Sequence, residues 1–167
     1  MGHIKHSFLP LFCAASVAIV AASTLTYAEQ TNRRATVPLE VSLKVGQGTY
    51  AAKGQGTCTH ARQAAIYNIR SQQWTARHEE DTRSVQLTLW KPVDGSAEMF
   101  SLLVNDKSDV NITTVRGGQV SGSGTVKFEP TGKGGTFTVA AKGKAGEPVT
   151  GTFKCEAFTA ATAEGGN

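Results

Sequence analysis

Cys58 and His60 stand two residues apart, and His78 is followed directly by Glu79, Glu80 and Asp81. Thiolate, imidazole and carboxylate are the side chains that bind transition metals and move protons. In an extended chain alternate side chains share a face, so Cys58 and His60 point the same way. With Met99 they offer soft and borderline donors of the kind copper or zinc accepts. The set is short: a zinc site wants three or four ligands, and a cysteine held in a disulfide is a poor one. Three consecutive acids in a polar turn mostly face water. The metal candidates are therefore His60 and His78 alone, and no cofactor is expected.

Other patterns lose their chemistry on inspection. Gly46-x-Gly48-x-x-Ala51 follows a strand-like run, as a dinucleotide fingerprint would. That fingerprint must open a helix and be followed by an acid about 20 residues later. Gly54 and Gly56 interrupt any such helix, and residues 66–70 hold no acid. Gly132-Lys133-Gly134-Gly135-Thr136 shares only composition with a phosphate loop. No GxSxG elbow is present, and Ser121-Gly122-Ser123-Gly124 reads as a bulged strand. No catalytic residue is assigned, and the reading leans away from an enzyme.

Aromatic residues are 7% of the chain, and lysines and arginines are scattered rather than striped. Nucleic-acid binding needs a basic stripe with interleaved aromatics, so it is set aside. Trp74 lies in an alternating run and is expected in the core. Trp90 ends a run beside Lys91-Pro92, where it is either core or a rim contact for a ligand or partner. Asn111-Ile112-Thr113 matches a glycosylation sequon within a strand-like run.

These residues sit in a chain with an export leader. His3, Lys5 and His6 precede an apolar stretch from about Phe8 to Ala22, then Thr26 and Ala28, then polar Glu29-Gln30. That is the layout of a secretory signal peptide cut after Ala28. The apolar stretch, about 15 residues, is shorter than the roughly 20 of a spanning helix. Removing residues 1–28 from 167 leaves 139, a size for one domain, and lowers the net charge from +4 to +3 with the loss of Lys5. No transmembrane segment is then expected. Two cysteines remain, Cys58 and Cys155, and an oxidising compartment pairs them.

Residues 29–36 read as a flexible lead-in, 37–158 as one β domain and 159–167 as a loose tail. Val37, Leu39, Val41, Leu43 and Val45 alternate with Pro38, Glu40, Ser42 and Lys44, a half-buried strand. Gly46-Gln47-Gly48 joins it to a second run as a hairpin. Residues 61–70 fit either a short helix, with apolar residues at Ala61, Ala64, Ala65, Ile66 and Ile69, or a strand. Strands follow around 73–79, 85–90, 99–104 and 110–115. Val120, Gly122, Gly124, Val126 and Phe128 are placed on one face, paired with Phe137, Val139 and Ala141. Val149, Gly151, Phe153, Cys155 and Ala157 form the last inward face. Short strands with glycine turns predict an all-β fold, an antiparallel sandwich in preference to a barrel, closed by one disulfide.

The expected function is an exported, non-enzymatic binding or accessory domain, its ligand a protein or small molecule. The alternatives are a secreted inhibitor or interaction module, and a small hydrolase or metal protein using His60 and His78. An intact mass of the exported protein should correspond to a chain starting at Glu29 and two hydrogens lighter than the reduced form. A chain still carrying Met1–Ala28 would overturn the leader.

Overall fold

The computed structural model describes residues 35–107 and 109–161. The expected leader, most of the lead-in and residues 162–167 lie outside the described residues. Alternation builds strand β1 (Val37–Val45), which buries Val37, Leu39, Val41 and Leu43 and leaves the residues between them in water. The chain turns at Gly46-Gln47 into β2 (Gly48–Ile66), and Val45 pairs with Gly48. β2 serves two neighbours. Up to Gly56 it pairs with β1, and from Thr57 it pairs with β3 (Ile69–Glu79). β4 (Ser84–Pro92), β5 (Met99–Asn105) and β6 (Val110–Thr113) continue the meander. A second meander, β7 (Ser123–Thr131), β8 (Gly134–Lys142) and β9 (Pro148–Cys155), returns to lie beside β1.

The strand order is β6-β5-β4-β3-β2-β1-β9-β8-β7, all neighbours antiparallel, and the sheet comes nearly round to a barrel. It is equally a sandwich whose halves share β2. Gly56 marks the change of partner. A Cβ there would lie 2.6 Å from Leu39 Cδ2 and 2.8 Å from the Arg77 carbonyl, so only glycine lets β1 and β3 approach together.

Nine strands cannot close a ring with every neighbour antiparallel, because the eight reversals from first to last, an even number, leave the last strand parallel to the first. The misfit falls between β6 and β7, which run the same way. There the contact is one antiparallel bridge, Thr113 with Ser121, through hydrogen bonds of 2.8 and 2.9 Å. Gly122, at φ 75°, then turns the chain into β7, with Ile112 and the Lys142 carbonyl in the way of any Cβ. Val120 is therefore not on the inner face expected of it. It precedes the turn and is exposed.

Residues 61–70 form no helix. The three-residue spacing of Ala61 and Ala64 is a β-bulge: Ala61 pairs with Gln73, but Ala64 pairs with Ser71. Both alanines are buried, so a bulged strand reproduces the spacing of a helical face. Tyr67 and Asn68, at φ 46° and 63°, then close a two-residue hairpin between Ile66 and Ile69.

The C-terminal segment is not loose from residue 159. β10 (Thr159–Ala160) lies parallel to Thr59–His60, covering β2 where β1 has ended. Just before it, Cys155 is bonded to Cys58, both buried. Replacing both cysteines by serine should lower stability by about 4–5 kcal/mol in the chain-entropy picture, read as a fall in the urea midpoint. Gly56→Ala should cost about 1–3 kcal/mol by crowding Leu39 and Arg77, read the same way.

Candidate functional site

Antiparallel strands sort the loops into two ends. The β1–β2, β3–β4, β5–β6 and β8–β9 turns lie at one, and the β2–β3, β4–β5 and β7–β8 turns at the other. The first end is plugged. Tyr50 is fully buried, its Oη 3.3 Å from Nδ1 of buried His78. Arg83 lies over the Tyr50 ring, its Cζ 5.0 Å from the centroid, and donates to the Ala51 carbonyl at 3.2 Å. Glu80 accepts hydrogen bonds from Arg83, which hold its carboxyl below the usual carboxylate range, and approaches His78 Nε2 at 3.9 Å.

The second end opens into a cleft of about 1010 Å³. Aromatic rings build its wall. His60 stacks on Trp74 across the β2–β3 pairing, centroids 4.5 Å apart and planes within 5°. Trp74 meets Phe128 of β7 at 5.1 Å. Phe128 stacks on Phe137 at 4.7 Å, and Phe158 sits edge-on to both, at 5.7 and 5.9 Å. Phe128 and Phe158 are half-buried, so part of this apolar surface stays open. Backbone bonds fix Phe158 in place. Its N–H donates to the Lys133 carbonyl at 2.9 Å, and the Ala161 N–H donates to the His60 carbonyl at 3.2 Å. Thr159 Oγ1 donates to the Cys58 carbonyl at 3.2 Å.

Exposed Arg62, Lys91 and Lys133 line the cleft, against one acid among the described residues, Glu98, 3.7 Å from Lys91. His60 Nε2 is buried and has no hydrogen-bond partner among the described residues. A buried polar atom left so is uncommon and costly in a folded protein.

The two histidines singled out in the sequence are therefore not brought together. Along β3 four residues separate Trp74, the partner of His60, from His78, about 13 Å of strand. His60 belongs to the open end and His78 to the plugged one. Among the described residues no three His, Cys, Asp or Glu side chains cluster to hold a metal ion.

Both tryptophans are buried, Trp74 in the main core as its alternation predicts. Trp90 points to the outer face of the sheet yet is buried, packed with Met99 and Val115. Residues 114–118 fold back across that face: the Thr114 N–H donates to the Phe100 carbonyl at 2.9 Å, and the Arg116 N–H approaches Met99 Sδ at 3.4 Å. The Trp90 Nε1–H donates to Gln73 Oε1 at 3.2 Å. Trp74, while part of the core, also lines the cleft. Phe128, Phe158, Arg62 and Lys133 were not anticipated, because they come from three separate segments with no common spacing. The one available signal was the inward register of Phe128 with Phe137.

Comparison with protein-family models, with curated proteins and with solved structures finds no match to this chain. Among the described residues no helix is long and apolar enough to cross a membrane.

Burial holds the Tyr50 phenol above its ordinary value of 10.0, against the pull of Arg83. Below that value folded and unfolded chains both keep the proton, and stability is undiminished. Above it the unfolded chain ionises first, so stability should fall as pH rises through the folded-state value. Urea midpoints measured from about pH 9 upward should show this fall in the parent and a flatter profile in Tyr50→Phe.

Proposed function

We propose that this chain is an exported, non-enzymatic binding domain that holds a small organic ligand in the cleft at the open end. The carrying observation is the partly exposed wall of His60, Trp74, Phe128 and Phe158 in a concave opening of about 1010 Å³. Small-molecule sites are commonly apolar concavities of about 300–1000 Å³, and the mouth of a β-barrel is a frequent place for one. The plugged end supports the same reading. With Tyr50 and Arg83 filling it, the framework is anchored at one end and open at the other.

Export is supported by the leader-like N-terminus and by the buried disulfide, which persists in an oxidising compartment. A binding role is supported by what surrounds the cleft. Hydrogen-bonded strands and the C-terminal crossing set its walls, so the site is preformed and little ordering accompanies binding.

The test uses N-phenyl-1-naphthylamine, a neutral aromatic probe whose emission rises in apolar surroundings. One probe per chain should bind, and Phe158→Ser should weaken it at least about tenfold, equivalent to roughly 1.4 kcal/mol. Circular dichroism should show the variant's sheet retained. Binding untouched by Phe158→Ser, or no binding at all, would overturn the cleft as the site.

A further inference from the structure

We infer that the cleft selects an organic anion: a ligand with an apolar, ring-sized body and one acidic group. This rests on the reading of the cleft as the binding site and adds the chemical class of its occupant. Two independent features carry it.

The first is charge. Arg62 on β2, Lys91 on β4 and Lys133 in the β7–β8 turn reach the opening from three segments, and among the described residues Glu98 is the one acid lining it. Glu98 lies 3.7 Å from Lys91, so it offsets that lysine and leaves the opening positive. The excess is local to the aromatic wall. It places cations at the edge of an apolar surface, the arrangement that an amphiphilic anion complements with its two ends. A neutral apolar ligand would gain nothing from them, and a cation would be repelled.

The second is His60. Its ring is held flat against Trp74, so its orientation is set by packing. Its Nε2 is buried and unpartnered among the described residues, although its neighbours Trp74, Phe158 and Thr159 line the cleft with it. In the tautomer protonated at Nε2, this atom is a buried donor left without a partner among the described residues. A ligand oxygen bearing negative charge satisfies it with a charge-assisted bond, stronger than a neutral one. No other described residue does so. The wall takes the body of the ligand, Nε2 and the cations take its acid, and no bond is made or broken.

Matched probes test this. 8-Anilino-1-naphthalenesulfonate has the ring body of N-phenyl-1-naphthylamine with a sulfonate added. The parent protein should bind the sulfonate at least about tenfold more tightly than the neutral compound, the effect of one hydrogen bond to a charged group. Lys133→Gln should erode that preference while leaving the neutral probe within about twofold of its parent affinity, and His60→Leu, which alters the wall itself, should narrow the ratio between the two probes. Added salt should weaken the sulfonate alone. Equal affinities for the two probes in the parent would overturn the anion assignment and leave the cleft as a binding site. A sulfonate preference that survives both substitutions would also overturn it. Full displacement of the sulfonate probe by inorganic sulfate at the same concentration would overturn the amphiphile, showing a bare anion site. Failure of both probes to respond to Phe158→Ser would overturn the cleft itself, and the ligand class with it.

Discussion

The first strand of this domain is also its closing strand. β1 lies between β2, its neighbour in sequence, and β9, the last long strand, and pairs with both along most of its length. The β2 pairing is local, made through a two-residue turn. The β9 pairing spans the domain and converts two open meanders into one nearly continuous wall. The four buried residues of β1 are at the centre of the core for this reason, with hydrogen-bonded strands on either side and both sheet halves packing on them. Loss of the β1–β9 ladder would expose the core and leave the disulfide as the covalent tie between the end of β9 and β2.

Register in that ladder positions the candidate site. Leu39 faces Gly54 on one side and Cys155 on the other, which brings the end of β9 alongside β2 just past the end of β1. There the disulfide forms and the chain crosses to pair with Thr59–His60. His60 is two residues from one cysteine and Phe158 three from the other. The cross-link thus holds two walls of the cleft as well as constraining the unfolded chain. Its contribution to stability and its contribution to site geometry come from the same bond.

The odd number of strands has the opposite effect. Since β6 and β7 cannot pair as the others do, the chain between them leaves the sheet and crosses its outer face. That crossing buries Trp90 and Met99, which alternation alone would leave in water. A second small core on the outside of the barrel is the consequence of a topological misfit. It secures the sheet end that bears the β2–β3 hairpin, where Tyr67 packs over Gly117 and Gly118.

Much of this follows from local physics and was legible in the chain itself. Period-two alternation placed Val37 to Leu43 and Phe137 to Ala141 on buried faces, and glycine turns predicted the hairpins. Cys58 and Cys155, the two cysteines outside the expected leader, admitted one pairing, which the structure contains. The same patterns misled where three-dimensional neighbours decide. A bulge at Ala61–Ala64 imitates a helical face, because both put apolar residues three apart. Trp90 could be read as core or rim, since what covers an outward side chain is a segment more than 20 residues away in sequence. The cleft was illegible for the same reason. His60, Phe128, Phe158 and the cations around them become one site only after β9 pairs with β1. Alternation tells which face a side chain takes, but only the ring of strands decides what that face meets.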